Sequence, residues 1–178
     1  MKNVLLVVLF MIGVVGYSVG KNVRLHGSLK EFGANVVSMD FDGAAGEISK
    51  EWSQKITVNK DGSFDFSFDL KKPGYYSVGR NTLYLTPGDD MEVYLGTSQP
   101  QSWFKGKGAD VNNYMKGRLF PNAGSFLEAG RNVKSSFEET KKYIDERAAQ
   151  REKELKALPN ASKEFVELEM KRIKADVA

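Results

Sequence analysis

The chain has 178 residues, enough for one domain with a sizeable core, and it lacks cysteine, so neither a disulfide framework nor a thiolate site can be built from it. Its 26 basic and 23 acidic side chains nearly balance, and no dense Lys/Arg patch is interleaved with aromatics, which excludes the electrostatic footprint of a nucleic-acid binder. A single histidine without cysteine cannot supply the usual ligands of a zinc site.

Residues 1–20 read as a signal peptide. Lys2 gives a positive start, and Val4 to Val15 form an apolar run broken only by Gly13. That run is shorter than the roughly 20 apolar residues needed to cross a hydrocarbon core. Small residues at Ser18 and Gly20 suit cleavage after Gly20, with Gly16 and Ser18 as the other candidate pair and a retained N-terminal anchor as the competing reading. The expectation is an exported protein of the periplasm or cell envelope, with no stable membrane anchor once the signal is removed.

From Val23 to Leu95 the dominant period is two. Val23–His26 and Val36–Phe41 are candidate strands separated by a loop carrying Gly27 and Gly33. The clearest alternation runs from Ser63 to Leu70, where Phe64, Phe66, Phe68 and Leu70 face one way and Ser63, Asp65, Ser67 and Asp69 the other. Ile56, Thr57 and Val58 precede it across Asn59-Lys60-Asp61-Gly62, and residues 55–70 therefore predict a β-hairpin. Tyr75–Val78, Thr82–Leu85 and Met91–Leu95 follow, each after a turn rich in Gly, Pro, Asn or Asp. About seven short strands without helical period predict an antiparallel β-sandwich over 21–108, with Phe64, Phe66, Phe68, Leu83, Leu85, Val93 and Leu95 in its core.

Residues 109–178 change character. Ser125-Phe126-Leu127-Glu128 and Ser135-Ser136-Phe137-Glu138 have the capping-box pattern that opens a helix. After the second box, Val133, Phe137, Ile144, Ala148, Leu155 and Leu158 recur at helical spacing among Lys, Glu and Arg, and Pro159-Asn160 ends the run. A second helix begins near Ser162, with Val166, Met170, Ile173 and Val177 on one stripe. The fold class predicted is α+β, an N-terminal sandwich followed by a C-terminal helical hairpin. Two helices bury only part of such stripes against each other, so the remainder is expected to dock partly on the sandwich, with weak self-association through what is left.

Catalytic chemistry is hard to place. His26 has no nucleophile or acid set to work with, and there is no Gly-x-Ser-x-Gly elbow. Asp40-Phe41-Asp42-Gly43 starts like a calcium loop but puts Ala44 where another oxygen ligand is required. Gly106-Lys107-Gly108-Ala109-Asp110-Val111 imitates a dinucleotide fingerprint without its third glycine, and reads instead as a release from the last strand into a helix. No catalytic residue, cofactor or metal is predicted. The candidate interaction surface is Phe137, Ile144, Met170 and Ile173, and the candidate ligand aromatics are Trp52, Tyr76 and Trp103, on which a glycan would stack.

The order of short motifs resembles a known domain. Thr57-Val58, Asp61-Gly62-Ser63-Phe64-Asp65-Phe66, Pro73-Gly74-Tyr75-Tyr76, Leu83-Tyr84-Leu85-Thr86-Pro87-Gly88-Asp89, and Phe104-Lys105-Gly106-Lys107-Gly108-Ala109 followed by Asn112 or Asn113 and by Tyr114 are similar to the N-terminal domain of unknown function in TlpA-like and ResA-like periplasmic thiol-disulfide reductases. In that family a β-sandwich and a helical segment precede a thioredoxin-fold domain with a Cys-x-x-Cys site. The likeness spans roughly residues 22–177, and this chain stops where the thioredoxin fold would begin, so no catalytic residue carries over. The resemblance implies a non-enzymatic accessory module, either standing alone or cut from a longer protein, with a redox domain or protein as its partner. The alternative is an envelope protein that binds a small glycan.

Overall fold

Alternation becomes register in the computed structural model, which describes residues 21–42, 53–117, 126–128 and 130–177. Strand β1 (Lys21–Ser28) pairs antiparallel with β4 (Ser63–Leu70), from Lys21 opposite Leu70 to Ser28 opposite Ser63. Phe64 and Leu70 are buried on the inner face of β4, whereas Phe66 and Phe68 are half-buried and pack against the same core. The face read from the sequence is correct, and the two middle phenylalanines are shallower than expected.

Two open four-stranded sheets result. The first has the order β4, β1, β7 (Asp90–Tyr94), β8 (Trp103–Lys107); the second has β3 (Gln54–Thr57), β2 (Val36–Phe41), β5 (Gly74–Val78), β6 (Asn81–Leu85). Leu25 and Val93 of the first sheet and Met39, Ile56, Leu83 and Leu85 of the second lie in one buried apolar cluster. Among the described residues the strand count is therefore eight, because β8 is added to the seven expected. Only Phe104 of its five residues is buried, and Gly106 interrupts the β pattern, so no alternation announced it.

Two further expectations fail. Strands β3 and β4 are not a hairpin: β3 pairs with β2 and β4 with β1, in different sheets. Asn59-Lys60-Asp61-Gly62 does make a tight turn, closed by the Asn59 N–H to the Ser63 carbonyl at 2.8 Å and by Asp61, which accepts from the Ser63 N–H at 3.0 Å. Val58 and Phe64 then enter the shared core from either side, and the chain passes from one sheet to the other. Nor are the sheets wholly antiparallel, since β1 runs parallel to β7, with Leu25 opposite Met91. The whole second sheet intervenes between them in sequence, so the long crossover that parallel pairing requires is available.

Helix α1 (Ala109–Met115) leaves β8 through Gly108, whose backbone is left-handed at φ 98°. The asparagines on α1 tie it to both sheets. Asn112 accepts from the Tyr84 N–H at 2.9 Å and donates to the Tyr84 carbonyl at 3.0 Å, on the outer edge of β6. Asn113 makes the same pair of bonds to Phe104 on the outer edge of β8, at 3.3 and 2.8 Å. Each amide stands in for a missing neighbouring strand.

The C-terminal hairpin consists of α2 (Phe137–Lys156) and α3 (Lys163–Val177). Its first cap is Ser136, in extended backbone, accepting from the Glu139 N–H at 3.2 Å, one residue later than the Ser135/Glu138 box predicted. The earlier box opens no helix at Phe126–Glu128, which form a turn in which Glu128 has φ 48°. Asn160 at φ 58° closes the link after α2, and Ser162 caps α3 by accepting from the Phe165 N–H at 3.1 Å. No helix among the described residues is long and apolar enough to cross a membrane.

A second core docks these helices on the outer face of the second sheet. Tyr84 points away from Leu83 and Leu85, and its ring lies 4.7 Å from that of Phe165. The Tyr75 hydroxyl, on the adjacent strand, donates to Glu169 at 2.8 Å. Buried Arg151 on α2 lies 3.8 Å over the Tyr114 ring and donates to the Tyr114 carbonyl at 3.3 Å, fixing α2 to α1.

The turn before β7 carries a testable electrostatic feature. Asp89 is buried, and its Oδ2 accepts from the Thr86 N–H at 2.7 Å. Burial raises its carboxyl above the usual range, against the opposing pull of that bond and of Lys107. A raised carboxyl holds its proton more tightly folded than unfolded, so this group costs stability as pH rises from the ordinary aspartate value, about 3.9, through the raised one. Asp89→Asn, which can keep the Thr86 bond, should therefore match or exceed the wild type in urea denaturation at neutral pH. That advantage should vanish in acid. A variant clearly less stable at neutral pH would show that the charge itself stabilises the turn.

Candidate interaction surface

The apolar stripe of α2 and α3 is divided by docking. Ile173 is buried with Leu155 and Phe165 in the second core, and Met170 is half-buried against it. Both were expected on the interaction surface, and Ile173 is not available there because α3 turns that side to the sheet. Ile144 is half-buried: one side packs on the second core, and the other faces a groove. Phe137 is 77 % exposed.

Phe137, Ile144, Leu127, Val133 and Val177 line that groove, which encloses about 660 Å³ at the start of α2. Val133 is 56 % exposed and Val177 38 % exposed. The geometry has a local cause. Ser136 starts the helix and Thr140 accepts from the Lys134 N–H at 2.9 Å, which folds 133–136 back along the first turn and sets Val133 beside Phe137. Charges lie along the rim already engaged: Lys141 meets Asp145 at 2.6 Å, and the Lys134 ammonium sits 4.4 Å over the Tyr143 ring. The groove floor is thus apolar, with a polar edge. Sequence reasoning placed Val133 and Val177 on the helical stripes but missed Leu127, which looked like the interior of a capping box.

The ligand aromatics do not converge. Tyr76 is buried at 6 % exposure and meets Phe41 and Phe68 edge-on, because the period of two in β5 turns it inward. Trp52 lies outside the described residues. Trp103 is half-buried, stacked on Tyr94 at 6.2 Å and 11°, with the Lys105 ammonium 4.5 Å from its ring. Tyr94 is in turn anchored by donating to Glu31, a bond that with the Thr97 N–H holds the Glu31 carboxyl below its usual range. Trp103 is built into a cross-strand ladder rather than presented as a flat platform.

Of the remaining sequence candidates, His26 Nε2 lies 3.8 Å from Asp90 on the outer face of the first sheet. Asp65 is paired with Arg24 through two bonds of 3.0 and 2.7 Å. Asp40 and Asp42 are exposed, while Gly43 and Ala44 lie outside the described residues. Among the described residues no three His, Cys, Asp or Glu side chains group as metal ligands. Gly108 leads from β8 into α1, as read from the sequence, whereas Gly106 lies within β8 opposite Met91, where a Cβ would meet the Asp90 carbonyl at 2.5 Å. No family model, curated protein or solved structure matches this chain.

Proposed function

We propose that the chain is a non-catalytic, exported accessory module, a β-sandwich with a docked helical hairpin, that binds a protein partner in the groove at Phe137. The carrying observation is the exposure of Phe137 at 77 % on an otherwise docked helical stripe, beside Val133 and Val177. A contiguous apolar patch with a polar rim is the usual form of a protein-binding site. The sandwich reading is supported by the single core that both sheets share. The resemblance to the leader domain of periplasmic thiol-disulfide reductases makes a thioredoxin-fold domain the partner class; a second copy of the chain is the competing occupant.

Phe137→Ser separates stability from binding. The ring is exposed, so the substitution should change stability by no more than about 0.5 kcal/mol. Co-purification of a thioredoxin-fold protein with the tagged chain from its native envelope should be lost in the variant. Unchanged recovery of that protein with Phe137→Ser would overturn the assignment of the groove. Concentration-dependent sedimentation that disappears in the variant, with no such protein recovered, would transfer the groove to self-association.

A further inference from the structure

The outer edges of β6 and β8 are closed by the amides of Asn112 and Asn113, but those of β3 and β4 are not. Strand β3 is four residues long and β4 eight, so β4 is the longer open edge. The register fixes which backbone groups it offers. The Arg24 N–H bonds the Asp89 carbonyl on the β7 side, whereas the Leu29 N–H, just past β1, bonds the Gly62 carbonyl on the β4 side. Odd-numbered residues of β1 therefore turn to β4, where Val23 and Leu25 lie opposite Phe68 and Phe66. It follows that the N–H and C=O groups of Asp65, Ser67 and Asp69 point outward. The Ser63 carbonyl is taken by the Asn59 N–H, and no strand among the described residues pairs with the other three.

The side chains along this edge narrow what fits it. Phe64 and Leu70, toward either end of the strand, are buried, but Phe66 and Phe68 between them are only half-buried, with their rings stacked at 5.6 Å. Buried Val23 and Leu25 flank them from β1, and the flank left open is the edge. On the opposite face Asp65, Ser67 and Asp69 are exposed. Arg24 engages Asp65, Asp69 has no ion-pair partner among the described residues, and Lys71 and Lys72 follow only beyond the strand. Two copies pairing edge to edge about Ser67 would set Asp65 of each opposite Asp69 of the other, and like charges directly opposite are destabilising.

We propose that the outer edge of β4 binds an extended segment of a partner protein as an added strand, one that alternates Lys or Arg with branched apolar residues. Its cations would lie opposite Asp65 and Asp69, its apolar side chains would cover Phe66 and Phe68, and the ladder would supply the main-chain bonds. This surface belongs to the first sheet and is independent of the Phe137 groove, which lies on helices docked to the second.

The test titrates the protein with the end-blocked peptide Thr-Lys-Val-Lys-Val-Lys-Thr, its counterpart with Glu for Lys, and a version N-methylated at the central lysine, which keeps the charge and loses a ladder donor. The Lys peptide should shift the amides of Asp65, Ser67 and Asp69 and slow their hydrogen exchange. The Glu peptide should bind at least about fivefold more weakly, the scale of exchanging favourable for unfavourable cross-strand charge pairs. The N-methylated peptide should give no exchange protection. Ser67→Pro removes an outward N–H and no bond to β1, so it should abolish peptide binding while the amides of Val23 and Leu25 stay protected. Asp69→Lys should narrow the preference for the Lys peptide. The proposal fails if the Lys peptide leaves the three edge amides unprotected, if the Glu or N-methylated peptide protects them equally, or if Ser67→Pro binds undiminished. It also fails if raising the protein concentration alone protects them, which would give the edge to a second copy of the chain.

Discussion

Asn112→Leu is expected to destabilise the fold by about 3 to 5 kcal/mol, since it removes several buried hydrogen bonds and strands their partners. Asn112 is fully buried and bonds to the N–H and carbonyl of Tyr84 and to the Gly108 carbonyl, the last at 2.9 Å. Leucine has similar bulk, so the loss would be of polar satisfaction rather than volume. The outer edge of β6 would then lie buried under α1 without partners, and Tyr84, which carries the docking of Phe165, would lose its anchor. Asn113→Leu is the internal control: its amide makes two comparable bonds to Phe104, but the side chain is only half-buried and water can replace it. Urea denaturation should place Asn113→Leu near about 1 kcal/mol. Equal costs for the two variants would contradict the view that burial, and not bonding alone, sets the value of these amides.

Gly27→Ala should be at least as damaging in steric terms, at about 3 kcal/mol or more. Gly27 lies in β1 with φ 139°, and a Cβ there would come within 2.0 Å of the Val93 carbonyl oxygen. That oxygen belongs to the backbone of β7, the parallel neighbour of β1, and cannot move aside without parting the two strands. Gly33→Ala isolates the conformational part: φ is 59°, and nothing lies within 4 Å of the added atom. It should cost about 1 to 2 kcal/mol, the penalty of a left-handed residue. If thermal unfolding finds Gly27→Ala no worse than Gly33→Ala, the close approach of β1 and β7 is wrong.

What the sequence revealed, and what it hid, follows from the range of each interaction. Ser63–Leu70 declared its inner face because alternation is local, and the face survives intact. The Asp61-Gly62 turn was also legible, but the sheet each flanking strand joins depends on partners far along the chain, so the same turn made a corner between sheets. Strand β8 is held by pairing with β7 and by Asn113 rather than by a pattern of its own. The helical stripes were read correctly as apolar, yet sequence could not tell the docked side from the open one. Ile173 and Phe137 look alike by spacing and differ because Tyr84 and Tyr75 receive α3 while nothing comparable among the described residues covers the start of α2.

The direct test of the account is photo-crosslinking in intact cells, with a photoreactive phenylalanine at position 137 and the same group at position 167, an exposed position on α3. The groove reading predicts a discrete adduct with a thioredoxin-fold protein at 137 and none at 167. Identical adducts at both positions, or no adduct at 137 while the protein is present and folded, would contradict it.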